Sequence, residues 1–285
     1  MKVMRLLAIG CLVGILSACA STPVTFNPSE SQAMNIARAG GIDFKLKDIE
    51  VPKDTVNGIV ESSGYGFAMA ASGYNAPIPG FSRMEMAGMN FASWAFSPKA
   101  QSSRNSLFAW MPKEYVGSGE EPVDKLADLI LTATGQVVEE LGYDAAKSIA
   151  NGGKNKSGLA VYFRVKDKPE DERCKNSPTR STCWISFGLR EPRSISRTPD
   201  FVGSTSEAYF FNPSSGVYSS YKFPRNNTGI NELEFLQKLS AKLPEWVYFY
   251  AAPNKLYFGP DQVMKVPVII NKGNILYFVT PPASS

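Results

Sequence analysis

Two strong helical patterns stand among many short aromatic runs, and that imbalance constrains the fold more than any other feature of the chain. In EEPVDKLADLILTATGQVVEELG, residues Leu126, Leu129, Ile130, Ala133, Val137 and Leu141 recur at helical spacing and predict one apolar face. Pro122 suits the first turn, Glu120, Glu121 and Asp124 suit its positive end, and Gly142 suits the stop. The second pattern, INELEFLQKLSAKLP, places Ile230, Leu233, Leu236, Leu239 and Leu243 on one face, with Asn231 and Glu234 at the cap and Pro244 at the end. The runs DFKLKDIEV, NGIVESSGYGFAMAAS, SLFAWMP, LAVYFRVK, CWISFGLR, EAYFF, GVYSSYKF, EWVYFYA and KLYF read as strands, LAVYFRVK and CWISFGLR as a hairpin flanking the loop between Cys174 and Cys183, and VPVII-NKGN-ILYFV as a hairpin turning at Gly273. Strands and helices do not alternate strictly. The expected class is therefore α+β, a mainly antiparallel sheet with one long and one medium amphipathic helix packed on it.

The first eighteen residues have a different character. Lys2 and Arg5 precede thirteen uncharged residues, Leu6 to Ala18. That run is short of the twenty or so apolar residues a membrane span needs, and it fits a secretory signal. It ends in Leu16-Ser17-Ala18-Cys19, which resembles the lipobox of bacterial lipoproteins. The resemblance implies cleavage before Cys19, a diacylglyceryl group on its sulfur and a fatty acyl chain such as palmitate on the new amino terminus. Ala20 stands where an Asp would imply retention at the inner membrane, so the resemblance implies an outer-membrane anchor with the domain in the periplasm. One acyl chain binds a bilayer marginally, whereas two or more hold firmly. Ser21 to Glu30, STPVTFNPSE, reads as a flexible tether, and SQAMNIARA as a short helical stretch stopping at Gly40-Gly41. The expected organisation is a signal peptide over 1–18, a lipidated cysteine and tether over 19–41, and one periplasmic domain over 42–285, with 151–155 as the place for a subdomain break.

With the signal removed, 28 basic residues face 26 acidic ones, a balance that gives no case for a nucleic-acid partner. Cys174 and Cys183 remain besides Cys19, and an oxidising compartment favours a disulfide between them. Closing that short loop is worth roughly 3 kcal/mol in the chain-entropy model. No further Cys and no His exists to complete a metal site with that pair. The lack of histidine also removes Ser-His-Asp and Cys-His catalysis and the usual zinc and non-haem iron sites.

Residues 62–82 carry no charge, and Gly/aromatic and Met-rich sequence surrounds them. Tyr65, Phe67, Tyr74, Met84, Met86 and Met89 are the candidate interaction surface, weighed against a buried strand followed by a tight loop. The methionines alone make a poor Cu(I) site beside their use as core filler. Ser219 and Lys222 match S-x-x-K, but they sit in a strand-like run that places them on opposite faces, and the companion motifs are missing. Arg190, Arg193 and Arg197 offer contact to anionic lipid heads or a polyanion, against the alternative of a solvated loop. No catalytic residue, metal or cofactor is assigned. The expected function is an outer-membrane lipoprotein whose domain binds or scaffolds other envelope components, with the membrane and an envelope protein as partners. The alternative is an envelope glycan hydrolase using two carboxyls that converge across a cleft.

Overall fold

The computed structural model describes residues 24–42, 46–48, 101–150, 158–165, 183–203, 207–213, 221–223, 231–253, 255–259, 262–264 and 266–279. Among them, the class is α+β with mainly antiparallel sheet. The helices are α1 (Gln32–Ala39), α2 (Pro122–Glu140) and α3 (Glu232–Lys242). Strands β1 (Ser106–Pro112), β5 (Arg193–Ile195), β6 (Ala208–Phe211), β8 (Val247–Ala251), β11 (Val268–Asn271) and β12 (Asn274–Tyr277) form a six-stranded sheet in the order β12-β11-β8-β1-β6-β5. A second sheet runs β2 (Tyr143–Ala150), β3 (Gly158–Val165), β4 (Cys183–Phe187), β7 (Tyr221–Lys222), and β9 (Tyr257–Gly259) pairs with β10 (Gln262–Val263).

The helices form where the apolar periodicity places them. Pro122 opens α2, and Leu126, Ile130, Ala133 and Val137 are buried where α2 lies on β2 and β3, while Leu129 and Leu141 are partly buried. Asn231 caps α3 by accepting from the Glu234 N–H at 3.0 Å, and Leu233, Leu236 and Leu239 are buried against β8 and β11. β3 and β4 pair antiparallel, as their sequences predict. In the C-terminal hairpin Asn271 pairs with Asn274, and Lys272 and Gly273 both have positive φ, as a two-residue type I′ turn requires.

The centre of the large sheet is aromatic. On one face Phe108 stacks on Tyr248 and Trp110 stacks on Phe210, with centroids 5.6 and 5.1 Å apart. Those are cross-strand pairs, the unit that stabilises a sheet. On the opposite face Phe249 meets Tyr221 of β7, which joins the two sheets.

α1 belongs to this core. Ala33, Ile36 and Ala37 are buried, Ser31 caps the helix through the Met34 N–H at 2.9 Å, and the Ser31 N–H donates to Asp48 at 2.6 Å. Residues 32–39, predicted as a short helical stretch, form that helix and pack on β11 and β12. The helix stops at Gly40-Gly41 as expected, and the two glycines have different roles. The φ of Gly40, −76°, is ordinary helical backbone, and it is Gly41, at φ 73°, that turns the chain. A Cβ on Gly40 would stand 2.9 Å from two carbons of the Phe108 ring, so Gly40 is needed for close approach. Gly40→Ala is expected to cost about 1–3 kcal/mol through overpacking. Phe108→Leu made in that background is expected to cost less than it does in the wild type, as a double-mutant cycle by urea denaturation would read. Additive costs would count against the ring as the obstacle.

Candidate functional site

One end of the six-stranded sheet is hollowed into a cleft of about 590 Å³, lined by Pro112, Glu114, Tyr115, Gly203, Pro244, Glu245, Trp246 and Lys272. It is open to solvent over much of its extent. Four chain segments build it. Pro112 ends β1, and a 3-10 turn over Lys113–Tyr115 then carries Tyr115 outward, where 43% of the residue is exposed. Its ring stands edge-on to the buried Trp246 at 5.3 Å. The Trp246 carbonyl accepts from the Trp110 N–H at 3.0 Å, which ties the rim to the central strand.

The α3–β8 connection supplies Pro244, Glu245 and Trp246. It is fastened by Asn271, whose Nδ2 donates to the Glu245 and Val247 carbonyls, both at 2.8 Å. Lys272, from the hairpin turn, donates through Nζ to the Leu243 carbonyl at 3.3 Å. Gly203 has φ 61°, and a Cβ there would stand 2.8 Å from Glu245 Cγ, so only glycine lets the two segments meet. Burial, with the Glu245 carboxylate nearby, pushes the Tyr248 phenol of the adjoining strand well above its ordinary value.

The cleft therefore offers one exposed aromatic ring, two carboxylates and one ammonium on a braced frame. Those groups suit binding by ring contact and charged hydrogen bonds. Among the described lining residues there is no cysteine, serine or threonine. Among the described residues no group of three His, Cys, Asp or Glu side chains is placed to hold a metal, and no helix is long and apolar enough to cross a membrane.

A second polar locus is sealed in the core. Glu232, in the first turn of α3, is 6% exposed, and its Oε2 accepts from the Tyr257 N–H at 2.9 Å. Burial pushes its carboxyl up to about 8, and that hydrogen bond offsets part of the shift. Tyr221 and Tyr250 are buried nearby. The Tyr221 hydroxyl donates to the Tyr250 carbonyl at 3.1 Å, and the Tyr250 hydroxyl donates to the Ser102 carbonyl at 2.6 Å. Burial, with Glu232 adding charge, raises the Tyr221 phenol. Glu232 does not line the cleft, so the two acids there and the acid with the raised pKa do not converge.

Tyr65, Phe67, Tyr74, Met84, Met86 and Met89, with Cys19 and Cys174, lie outside the described residues, and Cys183 opens β4. Lys222 lies on β7. Arg193 sits 5.4 Å from the Phe210 ring centroid, and Arg193 and Arg197 are exposed on and just beyond the edge strand β5. The cleft residues escaped sequence reading because no two segments share a motif; the only local hint was Tyr115 in a charged turn, KEY, after an apolar strand. Comparison of the chain with protein families, curated proteins and solved structures gives no match.

Proposed function

We propose that the protein is an outer-membrane lipoprotein whose periplasmic domain binds another component of the cell envelope. The observation that carries the reading is the thirteen-residue apolar run ending in Leu16-Ser17-Ala18-Cys19, with no Asp after the cysteine. A doubly or triply acylated cysteine is a lasting anchor that needs no membrane-spanning segment. The Tyr115–Trp246 cleft supports the binding half of the proposal: it is braced, and an exposed ring and charged groups suited to recognition line it. The hydrolase reading asks for two acids converging across a cleft, one of them raised. In the described residues the raised acid, Glu232, is closed off in the core.

Two measurements test the proposal together. Mass spectrometry of the mature amino-terminal peptide is expected to find acyl chains on Cys19, and Cys19→Ser is expected to shift the protein from the membrane fraction to the soluble one. A photoreactive residue in place of Tyr115 is expected to trap one defined envelope component in cells. An unmodified Cys19 would remove the anchor; adducts no different from those of a surface control would remove the cleft as the binding site.

A further inference from the structure

The fold takes up the chain soon after Cys19. The Phe26 ring packs edge-on against Phe201 with centroids 5.5 Å apart. Next to it, the Asn27 N–H donates to Asn35 Oδ1 at 2.6 Å, and Asn35 Nδ2 returns a bond to the Asn27 carbonyl at 2.9 Å. Asn35 lies on α1, so Phe26 and Asn27 are fixed to the core and do not trail from it. Only seven residue steps separate Cys19 from Phe26. Whatever path that chain follows, it reaches no more than roughly 25 Å at full stretch. A compact body of about 150 residues, the number described, is roughly 40 Å across. An anchor at Cys19 would keep the Phe26 side of the domain within that reach of the bilayer, whereas the far side can stand well beyond it.

Phe26 and the cleft share one end of the large sheet. Gly203, which lines the cleft, follows Phe201 by two positions, and Pro112 marks the same end of β1. The other end of β1 is Ser106, which pairs with Tyr250 near the close of β8, and the chain then runs on to Tyr257. The exposed large hydrophobic residues among those described divide accordingly: Phe26 at 49% and Tyr115 at 43% stand at the cleft end, and Tyr257 at 47% at the opposite end. Charge on the segment between β5 and Phe201 is mixed. Arg197 and Asp200 are both exposed there, one charge of each sign.

Resting on the acylation of Cys19, we propose that this end of the six-stranded sheet lies on the phospholipid headgroup layer of the bilayer that holds the acyl chains, with Phe26 and Tyr115 in the interfacial zone. Aromatic rings suit that zone because it is apolar on one side and wet on the other. The mixed charges suit zwitterionic headgroups better than a strongly anionic surface. The cleft then opens beside the membrane, and what it binds is within reach of that surface.

The test uses the full-length acylated protein in vesicles of phosphatidylethanolamine with a minority of phosphatidylglycerol. A photoreactive phenylalanine replaces Phe26, Tyr115 or Tyr257 in turn, all three being exposed, and thermal melting confirms that each variant folds. Phospholipid adducts at 26 and 115 are expected to exceed those at 257 by about fivefold or more, as the short tether gives the two ends different local lipid concentrations. Equal yields at the three positions, or more at 257, would overturn the orientation while acylation stands. Protein that fails to float with the vesicles and carries an unmodified Cys19 would overturn the anchor and the orientation together.

Discussion

Between about pH 5 and about pH 8 the protein is expected to lose stability of the order of 3–5 kcal/mol that a Glu232→Gln variant does not lose. The cause is a carboxyl that burial holds up to about 8 against an ordinary value of 4.5. Below the ordinary value, folded and unfolded chains both carry the proton. Between the two values the folded chain keeps a proton that the unfolded chain releases, so each rise in pH favours unfolding. Above the folded value both are ionised, and the contribution is gone. This is the reverse of the common case of a salt-bridged carboxylate, whose stabilisation is lost on acidification. Two features limit the effect. The Tyr257 N–H donates to the ionised carboxylate as well as to the neutral one, and the first-turn position gives the charge a favourable helix dipole. Gln keeps an oxygen for that N–H and removes the titration. Urea denaturation of both proteins across the range reads the difference in slope; parallel curves would show that Glu232 ionises freely where it stands.

Glu232 also shows where sequence reading stops. In INELEF it looks like an ordinary acid in the first turn of a helix, which the α3 pattern predicts well. Its burial depends on a backbone N–H arriving from a position 25 residues later. Local pattern sets the helix and its cap; the tertiary path of β9 sets the chemistry. The same division holds elsewhere. The apolar periodicity of α2, the Asn231 cap, the β3–β4 pairing and the turn at Gly273 are local or nearly so, and they were legible. The cleft was not, since Pro112, Gly203, Trp246 and Lys272 meet only through the strand order of the large sheet. Gly40 lies between: as a helix end it was readable, but the ring it accommodates belongs to a strand far along the chain.

Ile36→Ala is expected to lower stability by about 2–4 kcal/mol, and Ile36→Asp by more, enough to leave little folded protein. A residue in a flexible tether would tolerate either change. Ile36 is 1% exposed, on a helix that lies against β11 and β12, and no neighbour placed to pair a carboxylate at that position is evident among the apolar residues buried with it. Alanine would leave a cavity, which the surrounding sheet relaxes into only in part. Aspartate would bury a charge or force its carboxyl to stay protonated. Gln32, on the exposed side of the same helix, is the control, and Gln32→Ala is expected to change little. Guanidinium denaturation of the three variants makes the comparison. If Ile36→Ala behaved like the control, α1 would be dispensable to the fold, and the short reach from Cys19 to the core would no longer follow. A large cost at Ile36 instead makes α1 the point at which the chain that follows Cys19 joins the domain. Any pull on that chain then acts on the core directly through α1, with no slack of its own to absorb it.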